Sequence, residues 1–216
     1  MKIFLDTADF DAISERYETG LIDGVTTNPT LVRKSGVNYL EFIKELAFEF
    51  NFESISAEVD GDTDEEMIAN AEKYIDIGKN ITIKLPLTKD GLSACKVLTD
   101  IGVETNVTLC FSAAQAVLAA KAGATYISPF VGRMNDNSIS GVELVRAISG
   151  LYCAHGVRTK ILAASLRDVH HVSRCLMYGA SVVTLPPNVF DKMYDHILTD
   201  AGLAIFEKDF EQLSQA

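Results

Sequence analysis

The stretch Ile81-Thr-Ile-Lys-Leu-Pro86-Leu-Thr-Lys-Asp-Gly91-Leu-Ser-Ala-Cys-Lys96-Val-Leu-Thr-Asp-Ile101-Gly102-Val-Glu104-Thr-Asn106-Val-Thr-Leu109 holds one complete structural unit. Ile81–Leu85 is a short apolar run with β-branched residues, Gly91–Ile101 follows as a helix, Gly102 ends it, and Glu104–Leu109 opens the next strand. Gly102 stands where a chain leaving a helix turns into the left-handed conformation, which glycine adopts without steric cost.

The same unit repeats in both directions. Strands are expected near Lys2–Thr7, Gly24–Asn28, Ser54–Val59, Tyr126–Phe130, Lys160–Ala164 and Ser181–Leu185. Helices are expected over Phe10–Glu18, Tyr39–Phe50, Asp64–Ile77, Ser112–Ala122, Gly141–Ala154 and Asp168–Tyr178, with a split pair near Asn188–His196 and Ala201–Leu213. Asp62-Thr-Asp-Glu65 supplies acidic residues at a helix start before an apolar stripe of Met67, Ile68, Ala71, Tyr74 and Ile75. Gly78, Gly123, Gly156 and Gly179 repeat the stop signal of Gly102. Strands alternating with crossover helices imply a parallel sheet. Eight such units in 216 residues leave no room for insertions and predict one (β/α)8 barrel over residues 1–216, with 199–216 as a helical extension. The alternative, an open doubly wound sheet, normally carries a glycine-rich nucleotide fingerprint in its first turn, and this chain has none.

Composition narrows the function. The 48% hydrophobic content excludes disorder, and the formal charge of −11 disfavours nucleic acid and anionic membranes. No uncharged run exceeds the length of Thr105–Ala120, which is too short to span a bilayer, and Met1-Lys-Ile-Phe-Leu-Asp6 has no signal-peptide core, so a cytoplasmic protein is expected. Cys95, Cys110, Cys153 and Cys175 lack CxxC spacing, and His155, His170, His171 and His196 form no HxH or HExxH. No metal site and no cofactor are expected.

In a parallel barrel the active site lies at the C-terminal ends of the strands. Those ends carry Asp6, then Thr26, Thr27 and Asn28, then Glu58, Lys84, Asn106 with Thr108, Ser128 with Phe130, and Ser165. Residues two apart share a face of a strand, so Thr26 and Asn28 are expected to point together, as are Asn106 and Thr108, and Ser128 and Phe130. Lys84 stands between Ile83 and Leu85 in a central strand. Burial of an amine favours its neutral form, which attacks carbonyls. The plainer alternative is a rim lysine paired with Asp6 or Glu58. Those two carboxylates are candidate acid/base groups, and Thr108 a candidate for holding a water. Arg133, Ser165 and Arg167 follow the sixth and seventh strands, where this fold commonly binds phosphate; surface salt bridges are the competing reading for the arginines.

These residues lie in stretches similar to the transaldolases, in the short subfamily that also contains fructose-6-phosphate aldolases. The resembling segments are Phe4-Leu-Asp-Thr-Ala8, Asp23-Gly-Val-Thr-Thr-Asn-Pro-Thr-Leu-Val32, Ile81-Thr-Ile-Lys-Leu-Pro86 with Thr88 and Asp90-Gly91, Asn106-Val-Thr108, Phe111-Ser112, Ala114-Gln115-Ala116 and Ile127-Ser-Pro-Phe-Val-Gly-Arg133. The resemblance implies cofactor-free imine chemistry. Lys84 would join C2 of a ketose phosphate, Asp6 would drive C3–C4 cleavage, and Glu58 with Thr108 would hold a water. Thr26, Asn28, Asn106, Ser128 and Phe130 would surround the dihydroxyacetone unit. Arg133, Ser165 and Arg167 would hold phosphate. The subfamily's aldolases look distinct from this chain in carrying Gln at the position of Glu58 and Tyr at that of Phe130, which implies group transfer here rather than release of free dihydroxyacetone. A non-catalytic sugar-phosphate-binding barrel is the remaining alternative. The resemblance also implies a homo-oligomer, a pentamer or decamer, to which the apolar C-terminal residues Leu203, Ile205, Phe206 and Phe210 could contribute; they could equally cover the chain's own barrel.

Overall fold

The computed structural model describes residues 1–214. Eight strands run in chain order around a closed parallel barrel: β1 (Lys2–Asp6), β2 (Gly24–Thr26), β3 (Ser54–Glu58), β4 (Ile81–Pro86), β5 (Thr105–Cys110), β6 (Tyr126–Pro129), β7 (Lys160–Ala163) and β8 (Val182–Leu185). The ring closes through β1 and β8, with Lys2 opposite Val182 and Leu5 opposite Leu185. The helices are α1 (Phe10–Tyr17), α2 (Pro29–Ser35), α3 (Tyr39–Glu49), α4 (Asp64–Ile75), α5 (Lys89–Asp100), α6 (Ala113–Lys121), α7 (Val131–Asn135), α8 (Gly141–His155), α9 (Val169–Met177), α10 (Pro187–Asp191) and α11 (Ile197–Ser214). A bidentate ion pair from Arg16 on α1 to Asp191 on α10, at 2.9 and 2.6 Å, ties the first unit to the last.

Two apolar clusters hold this shell together. The larger lies between sheet and helices, where Leu5, Val25, Ile55, Ile83, Leu85, Val107 and Ile127 face Ile13, Ile43, Leu46, Leu98 and Val145. The smaller lies inside the barrel and consists of Phe4, Tyr126, Leu162, Ala164 and Val182. A Cβ on Gly24 would stand 2.8 Å from the Phe4 ring, so glycine at the start of β2 lets that ring fill the barrel floor.

Above this plug the interior is polar. Ser54 Oγ lies 2.7 Å from Thr82 Oγ1, Asn106 Nδ2 donates to Ser56 Oγ at 3.3 Å, and Ser128 Oγ donates to Asn106 Oδ1 at 2.7 Å. Each of these five side chains finds a partner, which offsets the cost of removing it from water.

Four of the five expected stop glycines, Gly102, Gly123, Gly156 and Gly179, have positive φ. Gly78 does not. An added Cβ there would come near only a side-chain oxygen, Asn80 Oδ1 at 2.9 Å, so glycine at this position is not set by backbone conformation. The last helical pair is shifted from the expected bounds: α10 ends at Asp191, and α11 begins at Ile197 rather than Ala201. Residues 215 and 216 of the expected extension lie outside the described residues.

Candidate active site

The C-terminal mouth of the barrel opens into an inner chamber of about 130 Å³ lined by Asp6, Thr26, Asn28, Lys84, Asn106, Thr108, Ser128, Phe130, Arg133 and Ser165. An outer basin of about 590 Å³ shares Asp6, Asn28, Lys84, Thr108, Phe130, Arg133 and Ser165 with it and adds Glu58 and Arg167. The two volumes together collect the residues that strand-end reasoning singles out, except Thr27, whose hydroxyl is bonded to Tyr39 and to the Ser56 carbonyl. A larger depression of about 900 Å³ lies along α11 between Leu203, Phe206 and Phe210, and it contains none of these groups.

Lys84 is buried, at 6% exposure. Its Nζ lies 2.9 Å from Glu58 Oε2 and donates to the Thr27 carbonyl at 3.1 Å. Strand register explains the ion pair: Glu58 on β3 stands opposite Lys84 on β4, and Lys84 in turn stands opposite Asn106 on β5. The pairing that could have made Lys84 merely structural is thus present, and it joins a lysine of the inner chamber to a carboxylate of the outer basin.

Asp6 enters from β1 and accepts from Thr26 Oγ1 at 2.9 Å. Its carboxyl is pushed above the ordinary carboxylate range. Loss of water among the strands is the main cause, opposed by the positive charge of Lys84 and by the Thr26 hydrogen bond, and reinforced by the charge of Glu58. Thr26 also lies 2.7 Å from Thr184 Oγ1 on β8, a chamber residue that the strand-end reading misses. The buried Thr108 Oγ1 has no protein hydrogen-bond partner, which leaves this hydroxyl free for a molecule in the chamber.

Two strained residues shape the rim. The β5–β6 register shifts between Val107 and Cys110, and Leu109 within that bulge has φ 64°. Ser165, just beyond β7, has φ 60°. Such conformations cost energy in non-glycine residues and concentrate at functional sites. An added Cβ on Gly132 would fall 2.0 Å from the Ser165 carbonyl, so glycine lets α7 abut this turn and brings Arg133 beside Ser165. The Arg133 guanidinium stacks 4.9 Å from the Phe130 ring centroid, and Phe130 packs edge-on against Phe111 at 5.8 Å. Arg167 is paired with Asp136 at the edge of the basin.

Asn28 differs from expectation in its backbone. β2 ends at Thr26, and Asn28 caps α2, its Oδ1 accepting from Leu31 N at 3.0 Å. Its neighbour Pro29 sits in the first turn, where a missing N–H costs nothing. The periodicity reading overlooks α2, which is only seven residues long, and with it Lys34, a fourth cation at the basin beside Lys84, Arg133 and Arg167.

The eight strands and their helices make a (β/α)8 barrel with a buried lysine and two carboxylates at its C-terminal mouth. The chain belongs to the transaldolase/fructose-6-phosphate aldolase family, which it matches over residues 3–216. It is 52% identical over 215 residues to a protein named probable transaldolase from Dinoroseobacter shibae, with 100% of this chain and 99% of that protein covered. A probable transaldolase from Caulobacter vibrioides is 51% identical over 216 residues, with the same coverage. One from Paracoccus denitrificans is 50% identical over 215 residues, again with 100% and 99% covered.

Proposed function

We propose that this chain is a transaldolase that moves a dihydroxyacetone unit between sugar phosphates of the pentose phosphate pathway. The donor is sedoheptulose 7-phosphate or fructose 6-phosphate, and the acceptor is glyceraldehyde 3-phosphate or erythrose 4-phosphate. The observation that carries this reading is the Lys84 amine, buried and 2.9 Å from Glu58 in the chamber that also holds Asp6.

Lys84 gives up a proton toward Glu58 and its nitrogen adds to C2 of the ketose. A water held by Glu58 and Thr108 serves the loss of the C2 oxygen as water and the later hydrolysis. Asp6 then takes the proton of the C4 hydroxyl. The C3–C4 bond breaks, its electron pair flows into the iminium, and an aldose phosphate leaves from a lysine-bound enamine. The imine nitrogen is the electron sink, so the residues present suffice for the step. Thr26, Asn28, Asn106 and Ser128 surround the three-carbon unit, and Arg133, Ser165 and Arg167 hold the phosphate. Phe130 offers no proton to the enamine, which therefore waits for an aldehyde. Addition of the acceptor reforms a C–C bond at C3, Asp6 returns the proton, and water frees the lysine.

Borohydride added with fructose 6-phosphate should fix a dihydroxyacetone-derived adduct on Lys84, located by peptide mapping. Absence of an adduct leaves only a silent sugar-phosphate-binding barrel. Rapid release of free dihydroxyacetone without erythrose 4-phosphate identifies an aldolase instead.

The same reading includes a cytoplasmic homo-oligomer, a pentamer or decamer. Among the described residues no helix is long and apolar enough to cross a membrane. α11 has no buried residue, and Leu203, Phe206, Phe210 and Leu213 fall on one exposed face of it. A second copy of the chain is the occupant that suits this face. Residues 1–216 act in it as one unit, barrel plus terminal helix.

A further inference from the structure

The end of the β2–β3 ladder departs from the regular pattern beside Lys84. Thr27 N donates to the Ser56 carbonyl at 3.3 Å, as a parallel pairing requires. The next bond of such a ladder would run from Glu58 N to the Thr27 carbonyl. That bond is replaced. Glu58 N donates to the phenol oxygen of Tyr39, at 2.7 Å, from the first turn of α3. The Thr27 carbonyl is left to accept from Lys84 Nζ at 3.1 Å.

The direction of every proton in this chain is fixed. The Glu58 N–H can only donate, so the phenol oxygen accepts. Thr27 Oγ1 spends its proton on the Ser56 carbonyl at 2.9 Å. The phenol proton therefore points to Thr27 Oγ1, 2.7 Å away. Glu58, Tyr39, Thr27 and Ser56 form one uninterrupted run of donors and acceptors, three of whose four links are at or below 2.9 Å when the Lys84 contact is counted with them. The Tyr39 ring is half-buried and packs against Tyr74 with centroids 5.8 Å apart.

We propose that Tyr39 is a positioning residue for Lys84: its hydroxyl draws the Glu58 N–H out of the sheet and so keeps the Thr27 carbonyl available to the amine. Lys84 Nζ is then held between two fixed oxygens, the Glu58 carboxylate and the Thr27 carbonyl, and its approach to a carbonyl carbon is set by both. Without the phenol, the Glu58 N–H turns to the Thr27 carbonyl, because a buried donor does not stay unpaired. The amine loses one of its two anchors to an ordinary ladder bond. Tyr39 does not touch the substrate; it acts through Thr27 and Glu58.

This inference rests on Lys84 being the imine-forming residue, and its test separates the two ideas. The rate of borohydride trapping by unphosphorylated dihydroxyacetone reports imine formation without the phosphate site. It is measured on the full chain, parent first, together with kcat and KM for fructose 6-phosphate in the presence of erythrose 4-phosphate. Tyr39→Phe is expected to slow trapping and kcat by about tenfold or more, the scale of one lost hydrogen bond to a charged group, with KM within about twofold. Tyr39→Leu removes the same hydroxyl and also the packing on Tyr74. The positioning role predicts equal losses of trapping rate per folded molecule in both variants, whatever their melting temperatures. A purely structural role predicts parental trapping in folded Tyr39→Phe, with loss appearing only as stability falls in Tyr39→Leu. Unchanged trapping and kcat in Tyr39→Phe overturns this proposal alone. Failure of the parent to trap at Lys84 overturns both ideas.

Discussion

The inside of the barrel and the outside of α11 have exchanged their usual characters. Ser54, Ser56, Thr82, Asn106 and Lys84 are buried in the sheet, while Leu203, Phe206, Phe210 and Leu213 on α11 are all at least 60% exposed. Each inversion costs free energy if it stands alone, through desolvated polar groups in one place and apolar surface left in water in the other. The interior offsets its cost within the chain, by hydrogen bonds and the Glu58–Lys84 pair. The helix has no such compensation within the chain, because none of its described side chains is buried. The contrast separates two kinds of misplaced residue: a satisfied one that serves a reaction, and an unsatisfied one that awaits a partner.

Lys84→Ala tests the interior half most strongly. If Lys84 is there for chemistry, turnover should fall by at least about a thousandfold, since no other group in the chamber supplies an amine. Far-UV circular dichroism should stay unchanged, because Glu58 lies at the mouth, where water can replace its lost partner. A variant that retains turnover, or one that no longer folds, would make the lysine a structural ion-pair partner.

Phe206→Asp with Phe210→Asp tests the exterior half. If a second copy covers α11, light scattering after size exclusion should show the assembly reduced to smaller species. The monomer's barrel should melt as a folded unit, since neither residue is buried in it. An unchanged mass for the variant, equal to that of the parent, would remove the second copy as the occupant of this face.

The two halves were not equally legible before the structure. Eight repeats of strand, helix and glycine determine the barrel, because a parallel neighbour demands a crossover each time, and strand-end position alone assigns Asp6, Glu58, Lys84 and Asn106 to one mouth. What escaped is what depends on contacts distant in sequence. Tyr39 reads as the first residue of an amphipathic helix, and its bonds to Thr27 and Glu58 exist only once α3 lies over β2 and β3. Thr184 reads as an ordinary β-former until the ring closes and sets it beside Thr26. α2 and α7 span seven and five residues, too few for a helical period to emerge, although Asn28 and Pro29 do carry a start signal. Gly78 looks like its four counterparts because sequence cannot distinguish a glycine needed for positive φ from one that is not.

The subtlest test concerns Asp6, where the inversion is least complete. Its folded pKa lies above the ordinary value, chiefly because it has lost water. A carboxyl shifted in this direction favours the folded state when protonated; that contribution is full below its unfolded pKa and is lost as pH rises through the folded pKa. Above its unfolded pKa, Asp6 is therefore a net cost to folding. Asp6→Asn keeps an oxygen to accept from Thr26 and removes the charge, so the variant should melt higher than the parent at neutral pH, by about 2–4 °C for each kcal/mol relieved in a chain of this size. The gap should close in acid, once the parent's own carboxyl is protonated, and turnover should be lost at every pH because no base remains for the C4 hydroxyl. Scanning calorimetry across the acid range checks the sign. A variant less stable than the parent at neutral pH would mean that the Lys84 charge and the Thr26 hydrogen bond outweigh the lost hydration, and Asp6 would then belong with the satisfied interior rather than marking the place where the barrel trades stability for reactivity.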